Sequence, residues 1–262
     1  MQHLSDADSL RNLLLTIAYQ GNRLHGWQIQ ENARTVQEEF QNALYEIIHE
    51  RPDIKGCSRT DSGVHANMYC VSFKTEHPIA CDRLMMALNR YLPFSVAVKD
   101  IREVDPDFHA RYSCTGKEYV YKLWNSRVRD PFLHGYALHY RYPMDVEMLN
   151  NAAQAFVGSH DFSSFCTLDS REKGDFVRTV QYFRVERDGD LVTFTVAADG
   201  FLYNMVRIMV GTLLAISSGR IAPDAIADII RAEDRKAAGP TAPAHGLYLN
   251  RVFYDHLPGR KV

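Results

Sequence analysis

Apolar positions along the first part of the chain follow a strand period, then a helical one. Leu13-Leu14-Leu15-Thr16-Ile17-Ala18-Tyr19 predicts a strand, and Gln20-Gly21-Asn22 a turn after it. From Val36 the period becomes helical, with Val36, Phe40, Ala43, Leu44, Ile47 and Ile48 on one face. Thr35 stands at the N-cap with Glu38 completing a capping box, and Pro52 is expected to close the helix. Met68–Phe73 predicts a second strand. Residues 82–92 predict a second helix, with Leu84, Ala87, Leu88 and Tyr91 aligned and Pro93 stopping it. Ser95–Ile101 predicts another strand. The order fits the β-α-β-β-α-β pattern of a ferredoxin-like unit, with three of its four strands legible.

The second half repeats the plan more loosely. Glu118–Trp124 alternates as a strand, and Val146, Leu149, Ala152, Ala153, Phe156 and Val157 form a helix face ending at Gly158. Strands at Thr179–Val185 and Leu191–Ala197 are joined through Asp188-Gly189. An apolar helix over 201–216, a short helix over Pro223–Ala232 and a last strand over Leu247–Tyr254 follow. The expected fold is α/β of the α+β type. Two ferredoxin-like (RRM-like) halves, residues 1–110 and 111–262, would carry mainly antiparallel sheets joined side by side, with helices on one face and a cleft between the halves.

Composition narrows the function classes. The five cysteines (57, 70, 81, 114, 166) form no CxxC pair, which suits free thiols in a reducing cytoplasm better than a disulfide scaffold or zinc ribbon. The opening residues are polar and acidic, so no secretory leader is expected. The run 201–216 is interrupted by Arg207 and shorter than the ~20 residues of a bilayer span, so no membrane association is expected. Net charge is −2, so any nucleic-acid partner has to be met by a local positive field.

Candidate chemistry concentrates in Cys57-Ser58-Arg59-Thr60-Asp61-Ser62-Gly63-Val64-His65-Ala66. Read alone, this is a surface turn with solvated charges and Gly63 at positive φ, or a catalytic loop in which Arg59 attends Asp61. Leu24-His25-Gly26-Trp27-Gln28-Ile29-Gln30 reads as a tryptophan packed under a loop, or as amides and an indole suited to a sugar–phosphate chain. Arg207 stands alone among apolar neighbours. It either snorkels to the helix end or pairs with a carboxylate such as Asp61, because an unpartnered buried guanidinium costs about several kcal/mol. Tyr119 and Tyr121 share one strand face, as packing or as a phenol aimed at a base. His109, Arg111, Lys117, Lys122, Arg127 and Arg129 form the best basic patch, opposed mainly by Glu118 and Asp130. The histidines show no metal-ligand spacing, and P-loop, dinucleotide and nucleophile-elbow motifs are absent. Cofactor-free chemistry on an aspartate remains, and spacing alone leaves open whether Asp61 acts as nucleophile or base.

These residues resemble the TruA family of tRNA pseudouridine synthases. The resemblance rests on ordered motifs: Tyr19-Gln20-Gly21 with His25–Gln30; Arg59–Ala66; Leu88-Asn89 with Leu92-Pro93; Phe108–Arg111 running into Lys117–Tyr121; His160-Asp161-Phe162 with Phe165; Phe201–Arg207 with Val210-Gly211; and Ala242-Pro243 with Gly246-Leu247. Ser58 departs from the family, which usually has glycine there; at positive φ, serine would cost about 1 kcal/mol or more. The resemblance implies isomerisation of uridine to pseudouridine at positions 38–40 of the tRNA anticodon stem-loop, without cofactor or metal, by a homodimer. It implies Asp61 as the catalytic residue, Tyr119 stacking on the target base, and Arg59 and Arg207 orienting Asp61 and displaced nucleotides, with Leu247 at the substrate. RNA contacts are expected from Arg23, His25, Trp27, Gln28, His65, Arg111 and Lys117. An RNA-binding module without chemistry and an aspartate-dependent nucleoside hydrolase are the alternatives. Which of the three uridines is modified stays open.

Overall fold

The computed structural model describes residues 10–167 and 174–255. The polar start of the chain therefore lies outside the described residues. Packing divides the chain into two compact units, one running to Thr115 and taking up the chain again at Arg251, the other Gly116–Asn250.

The first unit contains β1 (Arg11–Tyr19), α1 (Val36–Ile48), β2 (Lys55–Gly56), β3 (His65–Thr75), α2 (Cys81–Tyr91) and β4 (Val96–Val104). Strand β1 is central, with β3 and β4 antiparallel on either side. Leu13, Leu14 and Leu15 are all buried, so β1 is covered on both faces and reads as a continuous apolar run. Asn12 in the same strand is also buried, and its amide donates to the carbonyls of Asp105 (2.8 Å) and Phe108 (2.9 Å). It thereby fixes the exit from β4.

The fourth strand of the expected pattern is β2, two residues paired with Val71 and Ser72 of β3. Helix α1 begins at the expected Thr35 cap, whose hydroxyl accepts from the Glu38 amide; the reciprocal Glu38 carboxylate bond is absent among the described residues. It ends not at Pro52 but at His49, which takes a left-handed conformation (φ 56°) and donates to the Tyr45 carbonyl. On α2 the expected core position Tyr91 is 53% exposed and Leu92 is buried in its place.

The second unit contains β5 (Gly116–Trp124), β6 (Leu138–His139), α3 (Val146–Ala153), β7 (Gly158–Asp161), β8 (Val177–Asp188), β9 (Leu191–Ala198), α4 (Met205–Ser217) and α5 (Ile226–Ala232). The last strand, β10 (Leu247–Phe253), begins here and ends in the first unit. Antiparallel pairing runs β5-β9-β8-β7, and the short β6 pairs with β5 in parallel. The β8–β9 hairpin turns through Gly189 at φ 57°, as expected. Two helices start later than their apolar content predicts. Helix α4 starts at Met205, because Asn204 before it sits at φ 62° and breaks the helical path. Helix α5 starts at Ile226, with Pro223–Ala225 forming a turn ahead of it. The fold is thus mixed α/β with mostly antiparallel strands.

Candidate active site

The loop carrying Asp61 is pinned by backbone and buried side chains of its own unit. At its start, the Cys57 amide donates to the Cys70 carbonyl (2.9 Å) and the Tyr69 hydroxyl donates to the Ser58 carbonyl. In the middle, the Thr60 hydroxyl shares a 2.7 Å buried hydrogen bond with the Tyr19 hydroxyl, and the Thr60 carbonyl accepts from the Trp27 amide (3.2 Å). The Asp61 carbonyl accepts from Val64, closing a turn in which Gly63 takes φ 83°. At the end, the Gly21 amide donates to His65 Nδ1 (3.0 Å). Gly26 (φ 80°) lets residues 24–27 lie directly on the loop, since a Cβ there would stand 2.3 Å from the Thr60 carbonyl oxygen. Asp61 is left half-buried. Arg59 is exposed, and its guanidinium has no partner among the described residues.

Ser58 is not among the described residues with positive φ, so the expected strain at this departure from the family does not arise. Two residues expected at the RNA, His65 and Trp27, are buried. His65 is 1% exposed and spends Nδ1 on Gly21; Trp27 is 5% exposed and stacks on Tyr69 with ring centres 4.5 Å apart. Both prop the loop from inside. Arg23, His25 and Gln28 are exposed, and Arg111 is exposed with its guanidinium 5.8 Å from the Tyr112 ring centre. The parts of this framework that sequence reasoning missed are Tyr19, Thr60 and Tyr69. Their only signal was membership of, or adjacency to, the quoted motifs.

In the second unit, Tyr119 on β5 is buried, its ring edge-on to Phe201 at 5.0 Å. Tyr121 on the same strand face is fully buried and donates to the Pro243 carbonyl (2.9 Å); burial pushes its phenol pKa up, and the Arg207 charge opposes that shift. Leu247, the first residue of β10, is buried. Arg207 is half-buried in the first turn of α4, not deep in an apolar helix. Its Nε donates to the Ala242 carbonyl and its Nη1 to Asn204 Oδ1, both at 2.8 Å, while its own carbonyl accepts from the Ala242 amide (3.0 Å). A cation at a helix N-terminus faces the positive end of the helix dipole, so stability alone does not account for it.

The basic patch is also reshaped. Lys117 is half-exposed, and Arg127 and Arg129 are exposed and line a hollow of about 480 Å³ with Val128, Pro131 and His139. Lys122 instead lies 4.2 Å from the Tyr248 ring centre, its pKa lowered by burial. Glu118 is buried and accepts from the Tyr182 hydroxyl and the Asn250 amide. Among the described residues no His, Cys, Asp and Glu side chains gather into a metal-binding group, and no helix is long and apolar enough to cross a membrane.

The sequence matches the family described as tRNA pseudouridine synthase over residues 15–113 and 152–255, which includes Arg59, Asp61, Arg207 and Leu247. It is 46% identical over 245 residues to tRNA pseudouridine synthase A of Acetivibrio thermocellus, covering 94% of this chain and 100% of that one. The enzyme of the same name from Moorella thermoacetica is 46% identical over 244 residues, 92% of this chain and 99% of its own. That from Thermoanaerobacter pseudethanolicus is 41% identical over 245 residues, 94% and 100%. The chain belongs to the tRNA pseudouridine synthase family.

Proposed function

We propose that the protein isomerises uridine to pseudouridine at positions 38–40 of the tRNA anticodon stem-loop, with Asp61 as the catalytic residue and no cofactor. The observation that carries this reading is the Asp61 loop itself. Its backbone is fixed at Cys57, Ser58, Thr60 and Gly63 and its end by the His65 ring, while Asp61 is half-buried, two residues after an exposed Arg59 without a partner among the described residues. A turn that only reversed the chain has no use for so many anchors.

The reaction breaks the C1′–N1 bond, makes a C1′–C5 bond, releases the C5 proton and protonates N1, so it balances without an outside reactant. Asp61 promotes detachment of the uracil, Tyr119 and Leu247 are the proposed base contacts of the second unit, and Arg59 and Arg207 are the cations proposed to orient Asp61 and the displaced nucleotides. The target uridine has to leave its stack first, at a cost of about a few kcal/mol. Exposed Arg23, His25, Gln28 and Arg111 and half-exposed Lys117 supply the local positive and amide surface that a net charge of −2 does not. The reading extends to a cytoplasmic homodimer bridged by one tRNA, in which two such surfaces add; five free cysteines suit that compartment.

The test is tritium release from tRNA labelled at C5 of uridine, with wild type, Asp61→Ala and Asp61→Asn side by side. Release by wild type alone supports the proposal. An active Asp61→Asn protein removes Asp61 from the chemistry. No release by wild type, with salt-sensitive tRNA binding retained, makes the protein a binding module.

A further inference from the structure

The side chain most at odds with its surroundings in the first unit is Phe94, which is 110% exposed. It follows Pro93 in a tight connection between α2 and β4, closed by the Val96 amide donating to the Pro93 carbonyl (2.8 Å). Leu92, two residues earlier, is buried and anchors the turn, while Phe94 projects fully. Leaving a whole phenylalanine in water brings the folded chain nothing; covering it with a flat apolar partner is favourable.

Its position says which partner. The Ser95 carbonyl accepts from the Gln20 amide (2.8 Å), and the next residue, Gly21, binds His65 of the Asp61 loop. Tyr19 pairs with Val96 on one side and with Ala66 on the other. The Phe94 turn and the Asp61 loop therefore leave the same end of three adjacent strands, about 10 Å apart at a strand spacing of ~4.8 Å. Arg23, exposed and without a side-chain partner among the described residues, stands in the connecting turn, and Arg59 in the loop is likewise free. An aromatic face flanked by unpaired cations is how a protein grips an unpaired stretch of nucleic acid: bases stack and phosphates meet the cations. A protein partner matched to this apolar tip would have to be acidic as well.

We infer that Phe94 is a substrate-binding residue, stacking on an unpaired base of the RNA one or two nucleotides from the reacting uridine. The inference rests on the function proposed above and adds a contact to it.

The experiment uses anticodon stem-loop RNA carrying 2-aminopurine next to the target uridine, with tritium release followed on the same RNA. Phe94→Ala is expected to raise KM about five- to hundredfold, the range for one lost base–aromatic stack, with kcat within about twofold. It should also abolish the 2-aminopurine quench seen with wild type. Phe94→Tyr should keep both, and the melting temperature of each variant should match wild type because the side chain is exposed. Unchanged KM and quench in Phe94→Ala, with Asp61-dependent release intact, overturns this inference and leaves the proposed function standing. A KM change accompanied by loss of a self-associated species assigns Phe94 to a second copy of the chain and also overturns it. No release by wild type removes the proposed function and the RNA occupant together.

Discussion

Gly26→Ala tests whether the backbone of residues 24–27 sets the position of Asp61. An alanine Cβ at residue 26 would lie 2.3 Å from the Thr60 carbonyl oxygen, where even tight real contacts are 3.0–3.4 Å. The two backbones must part by about 1 Å, and the Thr60 carbonyl is not free to swing away because it accepts from Trp27. Alanine at φ 80° adds roughly 1–2 kcal/mol of backbone strain. A displacement of this size at the residue preceding the carboxylate proposed to be catalytic is worth about a hundredfold in kcat. Gly189→Ala is the control, because it imposes positive φ (57°) in the β8–β9 hairpin with nothing within 4 Å of the new Cβ. The assay is single-turnover tritium release together with urea unfolding of both variants. Loss of stability in both, with kcat falling only in Gly26→Ala, is expected. If Gly26→Ala turns over within about twofold of wild type while losing as much stability as the control, the Gly26–Thr60 contact does not position Asp61 and the reasoning is refuted.

Arg207→Met should lower kcat at least tenfold while shifting stability by no more than about 1–2 kcal/mol, because the loss of its hydrogen bonds, among them those to Ala242 and Asn204, is partly offset by relief of the cation at a helix N-terminus. Matching losses in activity and stability, measured by tritium release and urea unfolding, would make it a structural tie between α4 and Ala242. Stability should also decline at alkaline pH. Burial pushes Cys70 and Tyr248 up to about 12 and also raises Tyr121 and Tyr254. The folded state holds these protons after the unfolded chain has released them, so stability is fully present below the unfolded pKa values of about 8.5 and 10 and falls above them. Urea midpoints from pH 7 to 11 check this, with a shallower fall expected for Tyr248→Phe; a flat profile contradicts it.

How far the fold could be read from sequence depended on where each element's information lies. Strand β1 and helix α1 were legible because their burial is written in their own periodicity. Strand β2 was not, because Lys55-Gly56 has no pattern and is a strand only by pairing with Val71 and Ser72. The start of α4 was misplaced for a related reason. Phe201 and Leu202 are apolar whether in a helix or in a buried approach to one, and the decisive fact is the backbone of Asn204 at φ 62°. The late start also changes Arg207 from an isolated mid-helix charge to a first-turn residue with bonds to Asn204 and Ala242.

The site divides along the same line. Asp61 and Arg59 stood out because a loop of that composition is chemically odd. His65 and Trp27 read as RNA contacts because polar and aromatic residues beside a catalytic motif look alike whether they face outward or inward. Their inward orientation follows from contacts across tens of residues, His65 to Gly21 and Trp27 to Thr60 and Tyr69, which no local pattern encodes. In the second unit Glu118 is buried against Tyr182 and Asn250 and Lys122 lies against Tyr248, so one carboxylate and one ammonium leave the exposed patch together. The net charge of the patch is unchanged, and its outward cations are Arg127, Arg129 and half-exposed Lys117. Glu118, being buried, is no part of the surface that a phosphate could touch. Glu118→Gln should accordingly leave the salt dependence of tRNA binding unchanged, and a steeper slope in that variant would place the carboxylate back in the RNA field.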